Sequence, residues 1–258
     1  MRAMQKKIAI PLIFIISFIF NSNLYCAQGV TADDLIYMTE NFPPHNFIRN
    51  NTLEGASVEI LELIWEKMGT SKSRKDIKII PWARGIKRLK NEPNTVLFGM
   101  GYSRERSVNF HWVGPYYTHT LALISKKSNP IKINRIEDAK HFQIGVVRED
   151  IGHQTLLKNG FSPQKLDLAG DIDSLYRKLK YNRFDMICYV EHSFFNYLAT
   201  KTSDHYAFKP IFRVANMKSG FGFNKNIPSE LIKKFQHSLD ELIDENKVNS
   251  ILNKYKMK

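Results

Sequence analysis

From residue 35 onward, the chain alternates between short apolar runs and segments whose apolar residues recur at helical spacing. Residues 96–100 and 184–190 are nearly continuous apolar runs of strand length. Residues 58–68 instead repeat apolar side chains every three or four positions, as on one face of a helix. Strands that alternate with helices in this way predict an α/β fold with a largely parallel sheet.

The same two patterns divide the rest of the chain into elements. Ser57 is the predicted N-cap of the first helix, and Gly69 is its predicted C-terminal cap. Pro43 and Pro44 break the chain after the first strand and predict an extended loop. The predicted strands cover residues 35–39, 77–80, 96–100, 121–125, 142–147, 166–168, 184–190, 211–214 and 220–224. The predicted helices cover residues 58–68, a segment that ends at Asn91, and residues 136–139, 154–159, 172–179, 191–200, 229–243 and 248–255.

The first residues have the pattern of a secretory signal peptide. Lys6 and Lys7 precede residues 8–20, which are almost wholly apolar, and small residues follow near Ala27. This apolar segment, interrupted by Pro11, is short for a membrane span, which needs about 20 residues. The sequence therefore predicts a signal peptide over residues 1–27 and export to the periplasm, with an uncleaved N-terminal anchor as the alternative.

Composition narrows the classes of partner. The chain has 258 residues, 43% of them hydrophobic, enough for one large domain or two small lobes. Its formal net charge is +13, but the basic residues are dispersed, and an exported protein rarely meets nucleic acid. We therefore predict no nucleic-acid partner. The charge indicates either a solvated surface of one sign or attraction to anionic solutes or an acidic partner surface.

Cysteine and histidine point to neither a disulfide nor a metal. If Cys26 leaves with the signal peptide, Cys188 stands alone in an apolar run, which predicts a buried, inert thiol. The eight histidines lack the spacing of metal ligands. No metal and no other cofactor is predicted.

Candidate chemistry lies where two predicted strands end. The strand at residues 96–100 leads into Ser103 and Arg106 and then into an aromatic-rich segment. Arginine can hold a carboxylate with two hydrogen bonds, and aromatic faces give rigid apolar walls. Trp82 and Arg84 lie where another strand becomes a helix, the edge at which open α/β sheets bind ligands.

Seven segments in order resemble extracellular solute-binding protein family 3, the amino-acid type of ABC-transporter binding protein. The resemblance covers essentially the whole mature chain. It implies two α/β lobes of the type II periplasmic-binding-protein fold that hinge shut over a solute. By motif position, lobe one covers residues 30–124 and 215–258, and lobe two covers residues 125–214. The seven segments are residues 40–47, 55–60, 103–106, 110–116, 136–148, 182–190 and 220–231.

The resemblance also implies site residues. In that family the arginine of the Ser-x-x-Arg segment grips the solute carboxylate, which points to Arg106 with Ser103 assisting. Family amino-acid binders usually carry an aspartate where this chain has Val190, so the adjacent acid is the candidate partner for a cation. The family's anion loop in lobe two is also replaced, which makes a basic residue there a candidate second anion contact. The full predicted set is Arg106, Ser103, Phe42, Phe47, Trp82, Arg84, Arg148 and Glu191.

The leading hypothesis is a monomeric periplasmic protein that binds an amino acid or related small carboxylate and delivers it to a membrane permease or a sensor receptor. It is not predicted to be an enzyme, because no carboxylate spacing marks a catalytic pair and no nucleophile elbow occurs. Two alternatives stay open. One is a cleft enzyme of dehydratase type on the same scaffold, and the other is a sensory binding protein without a transport role.

Overall fold

The apolar runs of the sequence form the strands of a mixed sheet with helices on both faces. The computed structural model describes residues 29–257, and the predicted signal peptide lies outside the described residues. The strands are β1 (Ile36–Thr39), β2 (Phe47–Arg49), β3 (Thr52–Glu54), β4 (Lys78–Ile79), β5 (Thr95–Gly101), β6 (Phe110–Lys126), β7 (Ile144–Val147), β8 (Leu166–Ala169), β9 (Met186–Val190) and β10 (Phe208–Asn224).

Eight α-helices connect these strands within residues 29–257. They are α1 (Ala56–Met68), α2 (Trp82–Asn91), α3 (Arg104–Asn109), α4 (Ile151–Lys158), α5 (Ile172–Lys180), α6 (Glu191–Lys201), α7 (Ser229–Asp244) and α8 (Lys247–Lys254). No helix in this part of the chain is both long and apolar enough to cross a bilayer. The predicted α/β class is therefore confirmed, and most predicted elements lie within two or three residues of the observed ones.

Strands β4, β1 and β5 form one end of the sheet, and β9, β7 and β8 form the other. The order across the sheet is β4-β1-β5-β10-β6-β9-β7-β8. Neighbours are parallel within each end, whereas β10 and β6 run antiparallel to their neighbours in the centre. We refer to the half that contains β1 as lobe one and to the half that contains β7 as lobe two.

Two long strands, β6 and β10, join the lobes. Each has 17 residues, and they pair antiparallel with three irregularities of register. The sequence predicted only a short strand at the end of β6 and two separate pieces of β10, so the continuity of both strands is a correction. The lobe boundaries predicted near residues 124 and 214 fall inside these strands, and their exact positions stay a prediction.

Each lobe buries its own apolar cluster. In lobe one, Tyr37 packs edge-on against Trp65 with ring centroids 4.7 Å apart, and Phe223 packs against Phe235 at 4.9 Å. Lobe two has a separate cluster around β7 and β9. Complete burial of a large apolar side chain contributes about 1.5–3 kcal/mol, so these clusters stabilise the lobes that contain them. A third cluster, which includes Trp82 and Tyr189, continues from one lobe to the other.

The start of α1 differs from the prediction. Gly55, not Ser57, is its N-cap, while Gly69 caps the C-terminus in the left-handed conformation as predicted. Ser57 is buried, and its hydroxyl hydrogen-bonds the Tyr116 hydroxyl at 2.7 Å. Gly55 has φ +130°, and a Cβ there would lie 2.2 Å from the His45 carbonyl oxygen. Only glycine allows this close approach without strain.

The segment after β1 also contains a hairpin that the sequence did not indicate. Strands β2 and β3 pair antiparallel beyond the Pro43-Pro44 loop. Three residues are too few for alternating polarity to stand out from a loop, because a two-residue period needs four or more positions.

Candidate functional site

A cavity lies between the lobes, at the carboxyl ends of the central strands, and its space of about 300 Å³ includes open solvent. Glu40 follows β1, Gly101 ends β5, and Val190 ends β9. Asp150 follows β7 and precedes α4. Ligands of open α/β sheets bind at this edge, because the strand ends leave polar groups outside the core. The cavity is lined by Glu40, Phe42, Trp82, Gly99, Gly101, Arg106, Asp150, Ile151, Tyr189 and Val190.

Arg106 is the buried cation of this cavity. Only 3% of it is exposed, and burial lowers the pKa of its guanidinium to about 10. Its Nη1 donates to the Gly101 carbonyl at 2.9 Å and its Nη2 donates to the Glu149 carbonyl at 3.1 Å. Nε has no hydrogen-bond partner among the described residues. The guanidinium carbon lies 5.2 Å from the centre of the Trp82 ring, a cation–π contact.

Local sequence explains the position of this arginine. Ser103 is the N-cap of α3, and its hydroxyl accepts a hydrogen bond from the Arg106 backbone N–H at 3.1 Å. A serine N-cap stabilises a helix start by roughly 1 kcal/mol. Ser103 therefore fixes the turn that presents Arg106, and it does not itself line the cavity.

The Glu149 carbonyl connects the two lobes. It accepts hydrogen bonds from Trp82 Nε1 at 2.8 Å and from Arg106 Nη2 at 3.1 Å. Both donors belong to lobe one, whereas Glu149 belongs to lobe two. Glu149 has φ +62°, a left-handed conformation that is uncommon for a residue with a side chain. This conformation directs its carbonyl to two donors across the cleft.

Two carboxylates line the cavity beside Arg106. Asp150 is buried, and its Oδ1 accepts from the His153 backbone N–H at 2.7 Å, as the N-cap of α4. Burial raises the pKa of Asp150 to about 7, against the opposing effect of the backbone hydrogen bond from His153. Glu40 is half-buried as a residue, and desolvation of its carboxyl group, with repulsion from Asp150, raises its pKa to about 8. The charged forms of both acids are therefore costly in this cavity.

A second polar cluster, which we call the histidine cluster, lies next to the cavity and consists of His45 and His119. Both are buried, and neither nitrogen of either ring has a hydrogen-bond partner among the described residues. Their ring centroids lie 4.4 Å apart, and Phe42 stacks on His45 at 4.9 Å. Burial lowers the pKa of His45 far below its ordinary value and that of His119 to about 3. Both imidazoles are therefore neutral.

The structure brings together three of the eight predicted site residues, Arg106, Phe42 and Trp82, in the lining of the cavity. It does not bring the other five there. Arg84 and Arg148 are exposed, and Ser103 has the capping role described above. The other two, Phe47 and Glu191, contact residues outside the cavity.

Glu191 is the first residue of α6 and accepts from Arg213 Nε at 3.1 Å. Phe47 packs against Tyr255, with ring centroids 6.4 Å apart, and lines a larger groove of about 620 Å³ between the β2–β3 hairpin and α6. The charged side chains that line this groove, Arg49 and Lys201, are both exposed. The cavity around Arg106 contains a buried charge and is therefore the better candidate site.

The sequence analysis did not predict Glu40, Asp150 or Tyr189 as ligand-binding residues. Glu40 opens a segment of the family resemblance, and the residue after a buried strand is a recognisable signal for the strand-end edge. Asp150 followed by an apolar helix start had the signature of an N-cap. Within residues 29–257, no group of three or more histidine, cysteine or acidic residues is arranged to hold a metal ion.

Comparison with known proteins places these observations in a family. Residues 35–258 match the family model described as bacterial extracellular solute-binding proteins, family 3. No protein with a curated function matches significantly. Many solved structures do match, and their two-lobe type II periplasmic-binding-protein folds confirm the predicted fold class.

Three of these structures illustrate the range. A histidine kinase sensor domain with similarity to periplasmic binding proteins is 21% identical with a TM-score of 0.76, covering 86% of this chain and 95% of its own. An arginine-, lysine-, histidine-binding protein from Geobacillus stearothermophilus is 19% identical with a TM-score of 0.76, covering 87% and 96%. A histidine-bound ABC uptake transporter substrate-binding protein from Streptococcus pneumoniae is 18% identical with a TM-score of 0.74, covering 87% and 93%.

Proposed function

Because the chain belongs to the bacterial extracellular solute-binding proteins of family 3, we propose that it captures an amino acid or a related small carboxylate in the cavity between its lobes. The observation that carries this proposal is the buried guanidinium of Arg106 in the lining of this cavity. Glu40 and Asp150 line the same cavity, but neither forms an ion pair with Arg106 within the described residues, so an anionic group of a solute would compensate the buried cation.

Arg106 can bind the carboxylate of a solute if one of its present hydrogen bonds to a backbone carbonyl is replaced by a hydrogen bond to the solute. Both of its Nη atoms now donate to backbone carbonyls, and Nε is unpaired within the described residues. A carboxylate that accepts from this fork makes charge-assisted hydrogen bonds, which are roughly twice as strong as bonds between neutral groups. The Phe42, Trp82 and Tyr189 rings then enclose the apolar part of the solute.

We further propose that the protein is exported to the periplasm by its N-terminal segment and delivers the solute to an ABC-transporter permease as a monomer. A sensory role is the second candidate, and the kinase sensor domain among the similar structures favours it. Uptake of radiolabelled solute by cells with and without the gene distinguishes the two. Lost uptake supports transport, whereas unchanged uptake with a lost transcriptional or motility response supports sensing.

A cleft enzyme remains the third candidate because of one observation. The pKa of Glu40 is raised to about 8, so this acid retains a proton at neutral pH and has the property of a general acid. Incubation of the protein with each solute that binds, followed by product analysis, tests this candidate. Recovery of the unaltered solute supports a binding protein, and turnover overturns the binding-only proposal.

The direct test of the proposed site is Arg106→Ala, with Arg104→Ala as the matched control because Arg104 is exposed on the same helix. A thermal-shift screen of amino acids and small carboxylates first identifies a binder, since a solute at 100 times its Kd stabilises the folded state by about 2.7 kcal/mol. Calorimetry then measures its Kd. We expect binding to be lost in Arg106→Ala and retained in Arg104→Ala. Equal affinity of both variants would contradict the assignment.

A further inference from the structure

The cavity contains more acid than base. Glu40 and Asp150 line it together with a single guanidinium, that of Arg106. Asp150 is 7% exposed and Arg106 is 3% exposed, so both are removed from bulk water. Arg148, the basic residue nearest in sequence to Asp150, is exposed and does not line the cavity. With both acids ionised, the cavity lacks one positive charge, and buried charges in proteins are paired.

The two acids come from opposite lobes. Glu40 follows β1 in lobe one, and Asp150 caps α4 in lobe two. Closure therefore brings two like charges into one enclosed space, and like charges at short range oppose their own ionisation. Burial raises the pKa of Glu40, and repulsion from Asp150 raises it further. A cation between the two carboxylates would remove the repulsion and favour the closed state.

Building on the proposed function, we propose that Glu40 and Asp150 clamp a cationic group of the solute across the cleft, a guanidinium or a primary ammonium, so that the protein selects solutes of net charge +1. A solute of this charge, with a carboxylate on Arg106 and a cationic end between the acids, makes the filled cavity neutral.

The state of each acid fits this role. Oδ1 of Asp150 is fixed by its bond from the His153 backbone N–H, which sets the direction of the carboxylate. The Glu40 side chain forms no hydrogen bond or ion pair with the described residues, although its own backbone carbonyl accepts from Asn46. One acid is thus held in place and the other is free to adjust. Arg106, with Nε unpaired and 97% of its surface buried, is a further unsatisfied group in the same lining.

The cavity walls also favour a cation. Trp82, Phe42 and Tyr189 present aromatic rings to the same space, and Trp82 already lies against the Arg106 guanidinium at 5.2 Å. The faces of aromatic rings attract cations, and they do so more strongly in a site from which water is excluded. The acids and the aromatic rings therefore both favour a positively charged group.

The test is a calorimetric titration of the purified protein with L-arginine, L-lysine, the neutral arginine isostere L-citrulline, and L-glutamate. We expect arginine or lysine to bind at least about 30-fold more tightly than citrulline, as for loss of one partner of a buried charge pair. Glu40→Gln should weaken binding of the cationic solute by about the same factor while leaving citrulline binding within about threefold. Asp150→Asn, which preserves the N-cap, should act likewise, and Glu137→Gln, at an exposed acid, should change nothing.

A second readout separates a charge contact from a merely structural role. In the empty cavity the pKa values of Glu40 and Asp150 lie near 8 and 7, so the pair holds protons at pH 7. A cation favours the ionised forms, and its binding should release protons. Titrations in buffers of different ionisation enthalpy measure this release, which Glu40→Gln should reduce. Glu40→Asp should restore part of the affinity.

The outcomes distinguish this inference from the proposed function. Binding of citrulline as tight as that of arginine, or binding of glutamate in preference to both cations, would overturn the cation clamp and leave capture of an amino acid on Arg106 standing. No binding by any amino acid or small carboxylate would overturn both.

Discussion

Two buried polar clusters lie side by side at the junction of the lobes, and they differ in how their polar groups are satisfied. In the cavity, Arg106 donates to two carbonyls and Asp150 accepts a backbone N–H. In the histidine cluster, the ring nitrogens of His45 and His119 have no hydrogen-bond partner among the described residues. The first cluster holds groups that can carry charge, whereas the second is neutral.

This difference separates a candidate binding site from packing. The pKa values of Glu40 and Asp150 lie near neutrality, so a solute or a small change in pH alters their charge. The pKa values of the two histidines lie far below neutrality, and their rings pack against Phe42 and Tyr117 as apolar side chains would. Burial alone therefore does not mark the functional cluster; burial together with unbalanced charge does.

The largest expected effect comes from placing a permanent charge in the histidine cluster. His119→Lys puts an ammonium among His45, Tyr117 and Phe42, with no carboxylate among the groups that shift the His119 pKa. Breaking the balance of a buried charge costs about 3–5 kcal/mol. Urea denaturation at pH 7 should show a loss of that size in the free energy of unfolding. An unchanged midpoint would mean that water reaches this cluster.

A smaller loss is expected at the other cluster when Asp150 is removed. Asp150→Ala deletes the N-cap of α4 and leaves the His153 backbone N–H unpaired, which costs about 1–2 kcal/mol. Asp150→Asn should recover most of this loss, since asparagine caps equally well. If Asp150→Asn is as unstable as Asp150→Ala in urea, the carboxylate has a structural role beyond the cap.

The two clusters should give opposite dependences of stability on pH. The folded-state pKa of Glu40 and Asp150 is raised, so their contribution is fully present below about pH 4 and is lost as pH rises through about 7 and 8. The folded-state pKa of His119 is lowered to about 3, so its contribution is present above about pH 6.5 and is lost as pH falls towards 3.

For each of these two pH ranges, one variant should reduce the change in the free energy of unfolding. Glu40→Gln should reduce the loss of unfolding free energy between pH 5 and 8, by on the order of 1 kcal/mol after allowance for the partial exposure of Glu40. His119→Phe should reduce the loss between pH 6 and 4. Urea midpoints measured across pH 4–9 test both, and a flat wild-type profile would contradict the assignment of either cluster.

The smallest expected effect is that of His119→Phe at neutral pH. The ring nitrogens have no partner to lose among the described residues, and an apolar ring of similar shape removes an unsatisfied polar group, which is nearly neutral or stabilising. The free energy of unfolding should change by less than about 1 kcal/mol. A loss of 2 kcal/mol or more would show that the imidazole makes a hydrogen bond essential to the fold.

Some parts of the structure could be predicted from the sequence, and others could not. The strands around β5 and β9 and the position of Arg106 follow from local periodicity and a short motif, and the structure has them where expected. The continuity of β6 was missed, because Gly114 and Pro115 interrupt strand patterns. The acid pair was missed because Glu40 and Asp150 lie 110 positions apart in sequence and are brought to one cavity only by the packing of the two lobes.

The most direct test of the central claim compares one residue from each cluster for binding of the same solute. L-Arginine is titrated calorimetrically into the wild type, Glu40→Gln and His119→Phe at pH 7. We expect Glu40→Gln to lose at least about 30-fold in affinity, as for a charged partner removed from a buried pair, and His119→Phe to stay within about twofold of the wild type. Unchanged binding in Glu40→Gln together with lost binding in His119→Phe would contradict this account.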